Sequence, residues 1–435
     1  MSTWRTWVSG GMLAIFVGVL CGCGSASSQI QISPTSALLA PGQTFQFKVV
    51  VDVPNVPQFL WQVNGVIGGS PSTGTITTEG VYTAPATVAK EPILINVRDQ
   101  AAHATVSLFD PNLPNQGVVA ATQNPLVAAY TIPVPSGASA QVQFGTETSY
   151  GLTTSVVAPP AGETATILVA GMRESTPYHM RAVVNFADGS KYTDADHTFV
   201  TGAIPTDLRP DISAQLTGVG TPSPGIELLS LYPTSSANLL YAVATDLAGN
   251  VIWYYKLPNG AYPFPIKLLP NGHMLIVTGG TVNDVREIDL AGNIIHQITV
   301  DSIDASLANL ASFRIGTLNH DILALPNGHL ILLASIAQTI NDSPGIPAPT
   351  AVTGNALIDW DPQLGAVWTW STFDHLDLTH APYGVSDWTH GNAVIYSPDD
   401  GDLIFSMRNQ NWVVKINYAD GCAPRARKAE RRSSV

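Results

Sequence analysis

Cysteine is scarce, three in 435 residues, which excludes a fold built on a disulfide framework. Charge is scarce too, at 12% of residues, and positive charge is the scarcer sign: 19 Lys+Arg stand against 32 Asp+Glu, for a net −13. Arg425, Arg427, Lys428, Arg431 and Arg432 crowd into the tail 422–435, so the body before it is more acidic than the whole. A chain-wide attraction to nucleic acid or anionic lipid is thereby excluded, and an anionic ligand must be held by a few local groups. Long apolar runs are missing, since Met12–Leu20 is too short to span a bilayer. There is no Gly-x-Ser-x-Gly elbow and no Walker lysine loop, and Gly218, Gly220 and Gly225 precede no helical pattern. Hydrolase and nucleotide-binding readings fall away.

Arg5, the apolar stretch and Leu20-Cys21-Gly22-Cys23 form a signal peptide, residues 1–23. Its Leu-x-Gly-Cys ending resembles a bacterial lipobox. That resemblance implies that Cys23 becomes the lipid-modified first residue of an envelope lipoprotein, periplasmic or on the outer-membrane surface. Cleavage and release is the alternative, and both place the protein outside the cytoplasm. With Cys21 removed and Cys23 acylated, Cys422 has no internal disulfide partner, so stability must come from packed sheets.

After residue 28 the chain reads as short β-branched or aromatic runs separated by Gly, Pro, Asn and Asp, which predicts an all-β protein. A first β-sandwich is expected over 24–110, with alternation in Phe45-Gln46-Phe47-Lys48-Val49 and a hairpin signal at Asn64-Gly65. It resembles bacterial Ig-like modules, with Trp61 as the core aromatic. The break at Asp110-Pro111-Asn112-Leu113-Pro114-Asn115 leads into a second sandwich, 116–202, that resembles fibronectin type III. There Tyr178 is placed like a tyrosine corner, a structural bond rather than a catalytic group, and His179 is a strand residue.

From about residue 205 a repeat takes over. Pro270-Asn271-Gly272-His273 recurs as Pro326-Asn327-Gly328-His329 and, loosened, as Pro398-Asp399-Asp400-Gly401. Between these, Asp246-Leu247-Ala248-Gly249-Asn250 matches Asp289-Leu290-Ala291-Gly292-Asn293, with a variant at Asp361 to Gly365. Both elements are tight turns. One unit then holds four strands, 264–269, 273–278, 284–290 and 294–300, which is a propeller blade. Three blades end near Leu257, Val300 and Thr372, and a fourth begins at Thr389 and stops after a strand at Asn411 to Tyr418. This partial β-propeller, 205–421, cannot close on that number. The basic tail 422–435 differs in composition from everything before it, so a C-terminal truncation by frameshift is expected, a natural tail being the alternative. An open edge after Tyr418 predicts edge pairing.

Innermost strands line a propeller's channel, so equivalent positions converge there. His320 is expected at the start of one innermost strand, His390 at the start of the next, and Arg408 at the end of the neighbouring second strand. Two imidazoles and a guanidinium would face one mouth, and the planar fork of Arg408 suits a carboxylate, phosphate or sulfate; a structural ion pair is the ordinary alternative. His273 and His329 are expected to face solvent. His375 and His380 sit with Asp374 and Asp377 on an inter-blade loop where a metal is conceivable, although the spacing matches no zinc pattern.

At these residues the sequence resembles the bacterial arylsulfate sulfotransferase family. The matching stretches are Asn319-His320-Asp321-Ile322, Asp374-His375-Leu376-Asp377, Asp387-Trp388-Thr389-His390-Gly391-Asn392-Ala393 and Ser406-Met407-Arg408-Asn409-Gln410. The resemblance implies a six-bladed propeller and no cofactor. It also implies sulfuryl transfer from a phenolic sulfate ester to an acceptor phenol through a sulfohistidine, with His320, His390 and Arg408 in the sulfate-holding set. In the family the nucleophilic histidine lies in a later blade, past the last residue of this chain, so impaired activity is expected. Two other readings stay open. Asp246 to Trp253, Asp-x-x-Gly-x-x-x-Trp, has the look of quinoprotein dehydrogenases, and a non-catalytic envelope lipoprotein could bind a glycan or protein through its sandwiches and channel rim.

Overall fold

A computed structural model describes residues 30–418 apart from 52–58, 90, 207, 216, 217, 219 and 232–241. The signal peptide with Cys23 and the basic tail lie outside the described residues. The chain divides into two compact units, one ending at Leu108 and one starting at Phe109. Among the described residues both are built of strands, and helix is confined to short connectors such as Val300–Leu307.

In the first unit, Ser36–Leu39, His103–Leu108, Ile93–Val97, Trp61–Val63 and Val66–Ile67 make one sheet; Thr44–Gln46, Val81–Thr83, Gly74–Ile76 and Gly69–Ser70 make another. Asn64 and Gly65 both take positive φ, 48° and 79°, as a two-residue hairpin turn demands. Trp61 is buried with Phe47, Tyr82 and Ile95 in a core drawn from both sheets.

The second unit opens with a three-stranded sheet (Val118–Ala121, Ala128–Pro135, Gly162–Val169) and a five-stranded one that includes Ser139–Gly145 and Pro177–Asn185. The Tyr178 hydroxyl accepts the Arg173 N–H at 2.9 Å, a structural bond, and His179 lies in its strand with Nδ1 2.7 Å from Asp196 Oδ2. These sheets join the repeat region directly. Asn124 Nδ2 donates to the Tyr254 carbonyl at 2.8 Å, Arg173 pairs with Asp246 at 2.6 Å, and Leu126, Ile204 and Val243 share one core.

Four antiparallel meanders follow. The first holds Glu227–Ser230, Ala242–Thr245 and Val251–Tyr255; the second Ala261–Leu268, Met274–Gly280, Asp284–Ile288 and Ile294–Thr299. The third holds Ile315–Ala324, Leu330–Ile340, Thr350–Asp361 and Gly365–Ser371; the fourth Gly391–Ser397, Asp402–Met407 and Trp412–Ile416. The first strand of each packs against the first strand of the next, the arrangement of propeller blades. Apolar faces meet between blades: Leu275, Val277 and Ile298 lie against Ile315, Ile322 and Leu332, and Leu333 and Leu357 against Val394 and Phe405.

The repeated turns close as their residues dictate, with Gly272 and Gly328 at φ 84° and 89°. The histidines after them correct the expectation of solvent exposure. His273 Nδ1 lies 2.6 Å from Glu287 Oε1, and His329 Nδ1 2.9 Å from the fully buried Asp359 Oδ1. The register explains it: Glu287 is opposite Leu275 and Asp359 opposite Ile331, so each carboxylate shares a sheet face with the histidine diagonally across. In the fourth blade Asp402 takes the histidine's place and Lys415, opposite Ile404, takes the carboxylate's. The pair persists with its signs reversed, Lys415 Nζ lying 3.5 Å from Asp402 Oδ2.

Candidate active site

The first strands of the second, third and fourth blades lose register between Pro263 and Ile266, between Leu318 and Ile322 (and also between Ile315 and Leu318), and between Gly391 and Ala393. At or beside these irregularities stand Phe264, His320 and His390. Both histidines take left-handed backbone, φ 58° and 47°, which costs a non-glycine residue roughly 1–3 kcal/mol. Their rings form a row with Phe264, at centroid separations of 4.7 Å (Phe264 to His320) and 4.8 Å (His320 to His390). His390 lies just before its strand, as expected. His320 does not: its strand begins at Ile315, and the histidine sits inside it at the irregularity that turns it toward the mouth.

Arg408 opens a single 3-10 turn, Arg408–Gln410, after the second strand of the fourth blade. That turn clasps the segment carrying His390. Arg408 N–H donates to the His390 carbonyl at 3.0 Å, Asn409 N–H to Thr389 at 3.2 Å, and Gln410 Nε2 to Trp388 at 2.7 Å. The buried Trp388 indole anchors the same segment by donating to the His380 carbonyl at 2.9 Å. The Arg408 side chain is exposed, and among the described residues it makes no ion pair. Asp387 Oδ2 instead accepts from His390 Nδ1 at 2.6 Å, which leaves the far ring nitrogen of His390 for a ligand.

Burial holds the His320 imidazole below its ordinary value of 6.5, and the neighbouring His390 and Arg408 push the same way against Asp387 and Asp321. His320 is therefore neutral near pH 7. Behind the row the buried Asp321 ties three blades together. It pairs with Lys267 from the second, accepts its neighbour's Ile322 N–H at 2.9 Å, and accepts Val394 N–H from the fourth at 2.9 Å. Such a frame lets the mouth meet an oxyanion with two imidazoles, one guanidinium and one aromatic wall.

Sequence reasoning brought His320, His390 and Arg408 to one place and missed Phe264 and Asp321. The signal for Phe264 was available: it stands six residues before Pro270 as His320 stands six before Pro326. The histidines of the inter-blade loop do not come together. His375 lies parallel on Trp370 at 5.1 Å and His380 on Trp412 at 4.4 Å, so the two imidazoles belong to different stacks. Among the described residues no group of three His, Cys, Asp or Glu side chains could hold a metal. The Asp246 motif is a structural turn, in which Asp246 Oδ1 accepts from the Ala248 and Asn250 N–H groups at 3.0 and 2.9 Å.

Fold and geometry together define an all-β protein with propeller blades, in which His320, His390 and Arg408 lie close together. The arylsulfotransferase (ASST) family model matches residues 193–422, more than half of the sequence, and the chain belongs to that family. No curated protein matches it. Among solved structures, a Bacteroides caccae protein of unknown function is 12% identical, with 54% of this chain and 79% of that one covered, at a TM-score of 0.20. An ICAM-5 D1-D4 ectodomain fragment is 11% identical, with 79% and 98% covered, at 0.17. Salmonella alpha-2-macroglobulin reacted with methylamine is 11% identical, with 79% and 26% covered, at 0.17. At these TM-scores the likenesses carry no argument.

Proposed function

We propose that the protein takes part in sulfuryl transfer from a phenolic sulfate ester to an acceptor phenol, with His320, His390 and Arg408 holding the sulfuryl oxygens. The observation that carries this reading is the approach of the two imidazole rings, centroids 4.8 Å apart, beside an arginine that makes no ion pair among the described residues, in a chain of the arylsulfotransferase family. The guanidinium neutralises charge on the ester oxygens. The neutral His320 and the Asp387-oriented His390 offer ring nitrogens to the same group.

In the covalent route, an imidazole nitrogen attacks sulfur and an N–S bond forms as the S–O bond to the phenol breaks. The phenolate leaves and takes a proton. The acceptor phenol's oxygen then attacks sulfur, the N–S bond breaks, and the phenol's proton passes to solvent. Among the described residues none is assigned the attacking role; those named here bind and polarise the ester. We further propose that Cys23 is lipid-modified and that the protein works in the bacterial cell envelope. Loss of incorporated palmitate on Cys23→Ser tests that part.

Calorimetric titration of the full chain with 4-nitrophenyl sulfate tests the site. Binding that weakens at least roughly tenfold on Arg408→Ala supports the reading, as loss of a charge-assisted hydrogen bond requires. Equal affinity for the two proteins would overturn it in favour of a non-catalytic binding module.

A further inference from the structure

The backbone beside each site histidine is gripped by an asparagine of the preceding blade. Asn355 lies on the third strand of the third blade, 3% exposed, opposite Ser335. Its Oδ1 accepts the Gly391 N–H at 2.7 Å and the Thr389 hydroxyl at 2.8 Å, one residue to either side of His390, while Nδ2 donates to the Ala334 carbonyl at 3.3 Å. Asn283 does the same one blade earlier. Its Oδ1 accepts the Leu318 N–H at 2.8 Å, and Nδ2 donates to the Leu318 and Thr278 carbonyls at 3.1 and 2.9 Å, two residues before His320.

The two asparagines hold equivalent places. Continuing the pairing of Val277 with Val285 sets Asn283 across from Gly279, and Gly279 follows Gly272 at the spacing by which Ser335 follows Gly328. Where a strand breaks register, its backbone groups lose ladder partners that a buried site must replace. A carboxamide can accept and donate at once, so one side chain satisfies both kinds of group. Gly391 shows how close the approach is: a Cβ there would lie 2.4 Å from Phe405 Cζ and 3.1 Å from Asn355 Cγ.

We infer that Asn283 and Asn355 are positioning residues that hold His320 and His390 in left-handed backbone, so that their rings meet at the mouth. The inference rests on the reading of those histidines as ester-holding groups, and it makes each blade set the histidine of the next. Each asparagine acts through backbone near the histidine.

The test uses the full chain and three variants, Asn355→Leu, Asn283→Leu and Thr389→Val, the last removing one bond to Asn355 while keeping side-chain volume. Affinity for 4-nitrophenyl sulfate and residue-resolved amide exchange are measured together. Asn355→Leu is expected to weaken binding roughly tenfold and to speed Gly391 exchange by a similar factor, with Leu318 unaffected. Asn283→Leu is expected to reverse that pattern, and Thr389→Val to weaken binding less than Asn355→Leu. Wild-type affinity in Thr389→Val, or a Gly391 amide as protected in Asn355→Leu as in wild type, overturns the inference, and the Thr389 arm decides if the leucine variants do not fold. Wild-type protein that binds no ester removes the proposed function alone. The positioning role is then read from the ring-to-ring nuclear Overhauser contact of His320 with His390, expected to vanish in Asn355→Leu and overturning the role if it persists.

Discussion

Histidines at the two ends of the blades are put to opposite uses. At the turn end, His273 and His329 each meet a carboxylate from the third strand of their own sheet, Glu287 and Asp359. At the mouth, His320 lies between two rings, Phe264 and His390, and the nearby Arg408 is free of ion pairs among the described residues. The turn-end residues complete a hairpin, whereas the ring row Phe264, His320 and His390 is drawn from three successive blades. The difference teaches that a histidine's surroundings here are set by register: on the ladder it finds a carboxylate diagonally opposite, and off the ladder its ring reaches a ring of a neighbouring blade.

The largest effect should come from the turn end. His329→Ala leaves the fully buried Asp359 carboxylate with the Tyr418 hydroxyl, 2.6 Å away, as its remaining side-chain partner. A loss of about 3 kcal/mol in urea unfolding is expected, with the ester affinity of the folded protein retained. Arg408→Ala should do the converse, weakening ester binding by roughly thirtyfold while the melting temperature stays put, because the side chain is exposed.

Acid should separate the two ends more gently. Burial holds His320 and His375 below 6.5, so the unfolded chain takes up their protons first. Their contribution to stability is full above pH 6.5 and is lost as the pH falls through their lower native values. Burial pushes Glu287 up, but bonds from His296, His273 and Asn271 outweigh it and hold the carboxyl below 4.5. That contribution is full above pH 4.5 and is lost only as the pH falls through the lower native value. A melting profile from pH 8 to 3 should therefore decline in two stages, and His375→Gln should flatten the first. The smallest effect is expected of Lys415→Met, whose exposed pairs with Asp400 and Asp402 are screened at physiological salt; the melting temperature should not move.

Much of the fold was legible because its signals are local. Asn64-Gly65, Pro270-Asn271-Gly272 and Asp289 to Asn293 each specify a turn within a few residues, and β-branched alternation fills the strands between. The site was legible in part: repeat position alone brought His320, His390 and Arg408 to one mouth. Phe264 was missed because an aromatic residue in a strand reads as core. Asn283 and Asn355 were missed because an asparagine beside a strand reads as turn chemistry, and their partners Leu318 and Gly391 lie far along the chain.

By itself, then, the sequence determined the all-β class, the blade repeat and the nearness of His320, His390 and Arg408 to one another, since turns and alternation are written in neighbouring residues. Tertiary structure alone decided that His273 and His329 face carboxylates, that His375 and His380 lie on separate tryptophans, and that Asn283 and Asn355 bond to Leu318, Thr389 and Gly391 near the two mouth histidines. Those outcomes depend on register shifts and on which blade packs against which. Apart from the Trp370–His375 stack, such contacts join residues well separated along the chain, and no local pattern encodes them.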